Sequence, residues 1–266
     1  MILIGERLNS SRAPVQAAIE AGDADFIRQE AARQKAAGAH YIDINTATMM
    51  AREPETLVWA VKIVQEETGL PISIDSPNPV ALAEGLRVHA GRPILNSISG
   101  ETERYPKVLP LVQEYKPMVV ALCMDDRGVP ESPEDRIRVA YDLARGLTDA
   151  GLAEEDIFFD PLIKPIGAGS TFGQEVLDSI RALRREFPRC HITGGVSNVS
   201  FGLPQRWLLN QAFLVLTMGA GLDAAIIDPT DQKLMSLLRA TAALLGTDEY
   251  AVEYLQAHRD GLLVSR

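Results

Sequence analysis

Eight short runs of β-branched and aliphatic residues alternate along the chain with longer stretches that have the period of a helix. The eight predicted strands are Ile2–Gly5, Tyr41–Asn45, Ile72–Asp75, Ile94–Asn96, Met118–Met124, Ile157–Asp160, His191–Gly195 and Ala224–Asp228. Regular alternation of strand and helix is typical of βα units around a parallel sheet. The pattern therefore predicts a fold of the α/β class.

Amphipathic stretches between these strands predict the helices that cover the sheet. Four of them can be bounded from the sequence, namely Asp23–Ala37, Glu53–Thr68, Pro79–His89 and Glu175–Phe187. Gly38 and Gly69 follow the first two, as expected of residues that end a helix in the left-handed conformation. After the eighth strand we expect the eighth barrel helix and a short closing helix, Asp248–Arg259.

Chain length helps to decide between a closed barrel and an open sheet. A barrel of eight βα units commonly takes about 250 residues, and this chain has 266. A doubly wound open sheet would be expected to carry a glycine-rich phosphate loop after an early strand, and none follows Ile2–Gly5. No linker or charge block marks a second domain. We predict a single-domain (β/α)8 TIM barrel over residues 1–266.

The charge balance argues against several classes of partner. The chain has 26 Lys and Arg against 36 Asp and Glu, a net charge of −10, whereas nucleic acids and anionic membranes require a basic surface. No apolar run approaches the roughly 20 residues that span a bilayer. Cys123 and Cys190 lack metal-ligand spacing, and the first residues lack the features of a secretory signal. The expected location is the cytoplasm.

Polar side chains fall at or just beyond the ends of most predicted strands. They are Glu6 and Asn9 after the first strand, Asp43 and Asn45 in the second, Asp75 in the third, Asn96 in the fourth, Asp160 in the sixth, and Ser197 and Asn198 after the seventh. The carboxyl ends of barrel strands meet at one mouth, which is where barrel enzymes have their active sites. These side chains are therefore predicted to line one pocket.

The residue types in that pocket indicate the kind of ligand. They include no cluster of Lys and Arg for a phosphate and no Cys and His group for zinc, so no bound metal is expected. Carboxylates accept hydrogen bonds from ring N–H and amino groups, whereas carboxamides both donate and accept. Each residue alone has a structural alternative, a helix cap or a turn. Their repetition across strands favours a site for a neutral, hydrogen-bonding heterocycle.

Seven short motifs, spread in order over essentially the whole chain, carry a family resemblance. They are GERLN (5–9), DIN (43–45), SIDSPN (73–78), ILNSISGE (94–101), FDPLI (159–163), GGVSNVSFGLP (194–204) and GLDAAIIDP (221–229). With these motifs the sequence resembles the pterin-binding methyltransferases. That family includes methyltetrahydrofolate:corrinoid iron–sulfur protein methyltransferase and the folate module of cobalamin-dependent methionine synthase. Each motif is weak alone, and their order makes the resemblance specific.

The resemblance implies eight site residues. They are Asp75, Asn96 and Asp160 against the pyrimidine side of a pterin, Asn198 beside its N5, and Glu6, Asn9, Asn45 and Arg206 around the same mouth. N5 is the atom that gains or loses the methyl group, so the resemblance makes Asn198 the catalytic residue. Two structural alternatives stay open. Asn198 can be a helix cap, and Arg206 can belong to a surface ion pair.

The resemblance also implies the reaction and the partner. Tetrahydrofolate or 5-methyltetrahydrofolate is the expected substrate, and the methyl group moves between its N5 and the cobalt of a corrinoid. The DxHxxG-type stretch of a corrinoid site is absent, so a separate corrinoid protein is the expected partner. The family commonly forms homodimers. The apolar stretches Leu208–Met218 and Leu234–Leu245 can serve either barrel packing or a dimer face.

Two other functions remain open from the sequence. Dihydropteroate synthase shares the fold and the pterin pocket, but it carries a basic, glycine-containing late strand and an Arg-Val-His near its C-terminus. Here the late strand ends in Ile227-Asp228-Pro229 and no Arg-Val-His follows. The second alternative is a non-catalytic folate-binding subunit of a methyl-transfer complex.

Overall fold

Eight parallel strands form the inner wall of a barrel in the computed structural model of this protein, which describes residues 1–264. The strands are β1 (Ile2–Asn9), β2 (Tyr41–Asn45), β3 (Ile72–Asp75), β4 (Ile94–Ser99), β5 (Met118–Leu122), β6 (Ile157–Asp160), β7 (His191–Ile192) and β8 (Ala224–Ile227). They pair in chain order from β1 to β7, and β8 pairs with β1. A parallel bridge between Gly195 and Ile226 joins the segment after β7 to β8 and closes the ring. The predicted (β/α)8 barrel is confirmed.

Helices cover the outside of the barrel. Within residues 1–264 they are α1 (Ala13–Ala21), α2 (Ala24–Ala36), α3 (Glu53–Thr68), α4 (Pro79–Val88), α5 (Tyr105–Tyr115), α6 (Pro133–Asp149), α7 (Phe172–Glu186), α8 (Arg206–Ala220), α9 (Gln232–Leu244) and α10 (Val252–Arg259). None of the helices in this part of the chain is long and apolar enough to cross a membrane.

The strand ends differ from prediction by four residues at β1 and by three residues at β4 and β7. The predicted first strand ends at Gly5, whereas β1 continues to Asn9 because Glu6 and Arg7 find polar partners inside the fold. The predicted seventh strand, His191–Gly195, ends at Ile192 in the structure. The prediction also made β4 too short, ending it at Asn96, and β5 too long, ending it at Met124.

Helix ends differ from prediction by one to three residues in most cases. Asp23 is the N-cap of α2 and accepts a hydrogen bond from the Phe26 N–H, so the helix itself begins at Ala24. The α7 helix begins at Phe172 rather than at the predicted Glu175. The predicted closing helix, Asp248–Arg259, is a short 3-10 turn followed by α10.

The lower part of the barrel interior is filled by apolar side chains. Five fully buried residues from different strands form this inner cluster, namely Ile4, Ile94, Val120, Phe158 and Ala224. A larger cluster lies between the strands and the surrounding helices. Because the inner cluster fills the barrel below, the space for a ligand inside the barrel lies at the carboxyl side, where the polar strand ends are.

The two late apolar stretches bury one face and expose another. In α8, Phe213, Leu214 and Met218 are buried, whereas Leu208 and Leu216 are more than half exposed, at 55% and 54%. The buried face confirms barrel packing as one role of this helix. The exposed face leaves a second role open.

Candidate active site

A cavity of about 920 Å³ opens at the carboxyl ends of the strands. Seven of the eight site residues implied by the family resemblance line it, namely Glu6, Asn9, Asp75, Asn96, Asp160, Asn198 and Arg206. They come from β1, β3, β4, β6, the segment after β7 and the start of α8. Residues separated by up to 200 positions therefore meet at one rim, in a cavity of the size that holds a small molecule.

Asn45, the eighth predicted residue, lies behind this wall. Its amide nitrogen donates to Asp75 Oδ2 at 2.9 Å, and its oxygen accepts the Ala47 N–H at 3.0 Å. Both ends of the amide are therefore used inside the protein. The structure places Asn45 as a support for Asp75 rather than on the surface of the cavity.

Asp43, to which the resemblance assigns no role, lies at the centre of the buried polar network. Its Oδ1 accepts the Ser73 hydroxyl at 2.6 Å and the Asn96 amide nitrogen at 3.2 Å. Since Asn96 donates to Asp43, its amide oxygen remains as an acceptor for the cavity. The sequence contained a signal for Asp43, because residues two apart in a strand face the same side and Asp43 precedes Asn45 by two.

Two neighbouring carboxyl groups, Asp43 and Asp75, have raised pKa values. Burial raises the pKa of Asp75 to about 6, opposed by hydrogen bonding from Asn45 and by the positive charge of Arg104. Burial, reinforced by repulsion from Asp75, also raises the pKa of Asp43 well above its ordinary value. The pair therefore holds a proton more tightly than two separate carboxyl groups in water would.

Arg104 connects the residue that follows β3 to the carboxyl-terminal half of β4. Its Nη2 donates to the Ser76 carbonyl at 3.0 Å and to the Ser97 carbonyl at 2.7 Å. Ser76 and Ser97 directly follow Asp75 and Asn96 in the chain. No pattern in the sequence distinguishes this arginine from an exposed one, so its role emerges only from the structure.

Asp160 is held with one oxygen free for a ligand. Its Oδ1 accepts the Leu162 N–H at 2.7 Å, which leaves Oδ2 without a partner among residues 1–264. The neighbouring Pro161 carbonyl accepts from the buried Arg136 Nε at 2.7 Å, which fixes the turn. Burial raises the pKa of Asp160 to about 6, so the group is mainly ionised at pH 7 and acts as an acceptor.

Glu6 connects β1 to the segment after β7. The Ser197 hydroxyl donates to Glu6 Oε2 at 3.0 Å, across 191 residues of sequence. Burial raises the pKa of Glu6 to about 7, and the hydrogen bond from Ser197 and the positive charges of Arg12 and Arg206 oppose that rise. A carboxyl group with this pKa can hold or release a proton near neutral pH.

We expect the Glu6→Gln substitution to change how stability depends on pH. With its pKa raised from 4.5 to about 7, Glu6 keeps a proton in the folded protein that the unfolded chain has already lost. Its stabilising contribution is therefore complete below pH 4.5 and disappears as the pH rises through about 7. The unfolding free energy of the wild type minus that of Glu6→Gln should fall across this window.

Urea unfolding at a series of pH values measures this difference. Glu67→Gln, at an exposed position on α3, is the matched control and should follow the wild type. If the curves of wild type and Glu6→Gln run parallel from pH 4.5 to 7, Glu6 does not have the raised pKa.

Asn198 lies in a short 3-10 segment, Val196–Ser200, directly above the cavity. Its backbone N–H donates to the Gly195 carbonyl at 3.0 Å. Its side-chain amide has no hydrogen-bond partner within residues 1–264, so nothing there supports the helix-cap alternative. Gly195 makes room for this amide, since a Cβ at position 195 would lie 2.9 Å from Asn198 Nδ2.

Arg206 is held by neutral groups rather than by an acidic one. Its Nε donates to Ser200 Oγ at 3.0 Å, and its Nη2 donates to the Ser197 carbonyl at 2.8 Å. The surface ion pair considered as an alternative is therefore not formed within residues 1–264. Arg206 is exposed, and it lines the cavity at the rim.

Arg7 is the second charged residue of the GERLN motif, and its role is structural. Its guanidinium donates to Glu30 Oε2 at 2.7 Å and to Asp228 Oδ2 at 2.6 Å. These contacts tie β1 to α2 and to the end of β8, where the barrel closes. Asp228 lines the cavity but is already paired.

Comparison with known proteins identifies relatives over nearly the whole chain. Residues 5–228 match the family described as pterin binding enzyme. The chain belongs to the pterin-binding enzyme family. This pterin-binding enzyme is 37% identical over 263 residues to the methylcorrinoid:tetrahydrofolate methyltransferase of Eubacterium limosum, which covers 98% of this chain and 97% of that protein.

A second relative of this pterin-binding enzyme is a much longer protein. The chain is 32% identical over 240 residues to the methionine synthase of Mycobacterium leprae. That match covers 85% of this chain and 20% of the methionine synthase. The pterin-binding enzyme therefore corresponds to one part of that protein.

Solved structures of similar fold include two dihydropteroate synthases. The enzyme of Yersinia pestis matches with a TM-score of 0.69 at 17% identity, covering 92% of this chain and 93% of that one. The 7,8-dihydropteroate synthase of Vibrio fischeri ES114 matches with a TM-score of 0.71 at 14% identity, with coverage of 92% and 93%. At this identity the likeness concerns the fold alone.

Within residues 1–264, no group of three or more His, Cys, Asp and Glu side chains is arranged to hold a metal ion. Cys123 and Cys190 are free thiols, and both are buried.

Proposed function

We propose that this pterin-binding enzyme transfers a methyl group between N5 of tetrahydrofolate and the cobalt of a corrinoid carried by a separate protein. The identity of 37% over 98% of the chain with a methylcorrinoid:tetrahydrofolate methyltransferase carries the proposal. The cavity supports it, because it combines ionised carboxylates for a pyrimidine edge with one unpartnered amide at the rim.

The carboxylates suit the donor edge of a pterin. The ring presents an N–H and an amino group side by side, and a carboxylate can accept from both. Asp160 retains Oδ2 for this purpose. Asp75 lines the same cavity, and its Oδ2 accepts from Asn45. Asn96 presents its amide oxygen, since its nitrogen is taken by Asp43. We assign the pyrimidine side of the ring to these three residues.

We assign Asn198 to the N5 atom, because an amide can form a hydrogen bond with N5 both before and after N5 loses its proton. In transfer to the folate, the lone pair of N5 forms the bond to the methyl carbon. The electron pair of the carbon–cobalt bond stays with the corrinoid, and N5 loses its proton. The amide oxygen of Asn198 can accept from N5–H, and its nitrogen can donate to N5 once the proton is gone. In the reverse direction N5 regains that proton as the methyl group leaves.

Glu6 is our candidate for handling this proton. It lines the same cavity, it binds Ser197 next to Asn198 in the chain, and its pKa is raised to about 7. An acid with a pKa near the working pH exchanges protons most effectively. In this assignment Glu6 takes up or returns the N5 proton through the cavity, and Asn198 stabilises N5 electrostatically.

The partner and the assembly are further parts of the proposal. The corrinoid protein must reach the open mouth for each transfer, so a transient interface is expected. We propose a homodimer formed through the exposed apolar face of the late helices, which includes Leu216, Leu244 and Leu245. We also propose a cytoplasmic location, in keeping with two free cysteines.

The visible spectrum of a methylated corrinoid protein tests the proposed reaction. Adding this enzyme and tetrahydrofolate should demethylate the corrinoid and yield one equivalent of 5-methyltetrahydrofolate by chromatography. Folate binding without spectral change would support the non-catalytic alternative. Incorporation of p-aminobenzoate into pteroate would support dihydropteroate synthase instead. Either result would overturn the proposal.

We expect Gly195→Ala to slow methyl transfer without unfolding the protein. The added Cβ would lie 2.9 Å from Asn198 Nδ2, so the amide must move away from its position at the rim. Gly195 has a φ of −74°, which alanine adopts without strain. A displacement of this kind costs about 10- to 100-fold in kcat. Steady-state kinetics and thermal melting measure the two effects, and unchanged kcat would contradict the assigned position of Asn198.

A further inference from the structure

Arg136, near the start of α6, is a fully buried arginine that forms no ion pair within residues 1–264. Its Nε donates to the Pro161 carbonyl at 2.7 Å, and its Nη1 donates to the Ser132 carbonyl at 3.3 Å. Its Nη2 is buried and has no hydrogen-bond partner in that part of the chain. A guanidinium keeps its proton in proteins, so a full positive charge is enclosed here. Such a charge is costly unless a negative group offsets it.

The carboxyl groups around Arg136 narrow the choice of its counter-charge. Three of them interact with its charge, namely Glu175, Asp160 and Asp135. Glu175, on α7, is already paired with Lys164 at 3.0 Å. The Asp135 side chain is 47% exposed, so water screens its charge. Asp160 is therefore the carboxyl group that best compensates the enclosed cation.

Asp160 is joined to Arg136 through the turn after β6. The carbonyl that Arg136 binds belongs to Pro161, the residue next to Asp160, and the Leu162 N–H donates to Asp160 Oδ1 at 2.7 Å. Cys123 also adjoins Asp160, but burial raises the pKa of its thiol, which is therefore neutral. The charge of Arg136 holds the pKa of Asp160 below the value that burial alone would give.

We propose that Arg136 is a positioning residue for the pterin site, whose enclosed charge keeps Asp160 ionised while its guanidinium fixes the turn that carries Asp160. This inference rests on the proposed function, in which an ionised Asp160 accepts hydrogen bonds from the pyrimidine edge. Arg136 is not among the residues that line the cavity, so it acts on the folate through Asp160. The cation and the carboxylate each offset part of the other's desolvation cost.

Three substitutions at position 136 separate the charge from the hydrogen bonds. Arg136→Lys keeps the charge, Arg136→Gln keeps a donor without the charge, and Arg136→Met removes both. Arg184→Gln is the matched control. Arg184 also donates to backbone carbonyls, those of Gly221 and Cys190, but it does so at the amino ends of β7 and β8. Carbon-13 NMR of labelled aspartate carboxyl groups, assigned with Asp160→Asn, follows the protonation of Asp160. Calorimetry with tetrahydrofolate over the same pH series follows binding.

The pKa of Asp160 is about 6 in the wild type, and Arg136→Gln should raise it by about one pH unit. Folate affinity at pH 6 should then fall about fivefold, because the ionised fraction of Asp160 drops from about one half to about one tenth. The loss should disappear at alkaline pH, where a merely structural defect would persist. Arg136→Met should show the same rise, which keeps the test open should Arg136→Gln not fold. Arg136→Lys and Arg184→Gln should titrate like the wild type.

The outcomes separate this role of Arg136 from the proposed function. An unchanged pKa of Asp160 in Arg136→Gln or Arg136→Met would overturn the role, and so would a loss of affinity that remains at alkaline pH. A raised pKa in Arg136→Lys equal to that in Arg136→Gln would overturn it as well, since the charge would then not matter. If the wild type bound no folate while the NMR titration shifted as expected, the proposed function would fail and the electrostatic link between Arg136 and Asp160 would stand.

Discussion

Replacing Asn198 with alanine is expected to lower kcat for methyl transfer by about 100- to 1,000-fold, the usual cost of losing one hydrogen-bonding group that acts in the transition state. Asn198 has no side-chain hydrogen bond to lose within residues 1–264, so folding stability should change little. The Kd for the folate should also change little, because the carboxylates hold the pyrimidine edge. Stopped-flow spectra of the corrinoid and calorimetric folate titrations measure kcat and Kd separately.

Asn78→Ala is the matched control for this variant. Asn78 is the N-cap of α4, and its Oδ1 accepts the Val80 N–H at 3.0 Å. Loss of such a cap costs about 1 kcal/mol of stability, whereas the catalytic rate should not change. Asn198→Ala should show the reverse pattern. Equal turnover by Asn198→Ala and wild type would remove Asn198 from the mechanism.

The Asp160→Asn substitution is expected to weaken folate binding by about 100-fold, which corresponds to roughly 3 kcal/mol for a buried charged hydrogen bond replaced by a mismatch. The carboxamide presents a donor to a ring edge that consists of donors, and it removes the negative charge. The Leu162 N–H can still donate to the amide oxygen of the variant, so the turn should persist. Calorimetry with tetrahydrofolate measures the loss.

The pH dependence of wild-type binding provides a second test of Asp160. Because its pKa is raised to about 6, folate affinity should decline as the pH falls below that value and the carboxylate becomes protonated. Asp142→Asn, at an exposed position on α6, is the matched control and should bind like the wild type. Unchanged affinity of Asp160→Asn would place this residue outside the binding site.

The strand number and order could be predicted from the sequence, but the strand ends could not. Apolar periodicity marks where a strand is buried, whereas its last residues depend on distant partners. β1 continues through Glu6 and Arg7 because their side chains form hydrogen bonds with Ser197 and Asp228, respectively. These partners lie 191 and 221 positions away in the sequence. The predicted extent of β7 failed for a related reason, because its two final glycines leave the strand and approach β8 instead.

The location of the site was predictable because barrel topology brings every strand end to one mouth. The roles of the individual residues within the site were not predictable. Asn45 and Asn96 look alike in the sequence, yet Asn45 is fully occupied by internal hydrogen bonds while Asn96 keeps an oxygen for the cavity. Asp43 gains its position from the network formed with Ser73, and Arg104 gains its role from the carbonyls of Ser76 and Ser97. Such assignments depend on distances that no local pattern encodes.

A crystal structure of this enzyme with tetrahydrofolate bound tests the central claim most directly. The account predicts the pyrimidine edge within hydrogen-bonding distance of Asp75, Asn96 and Asp160, and N5 within about 3 Å of the Asn198 amide. A folate bound elsewhere on the barrel, or bound in this cavity with N5 turned away from Asn198, would contradict it.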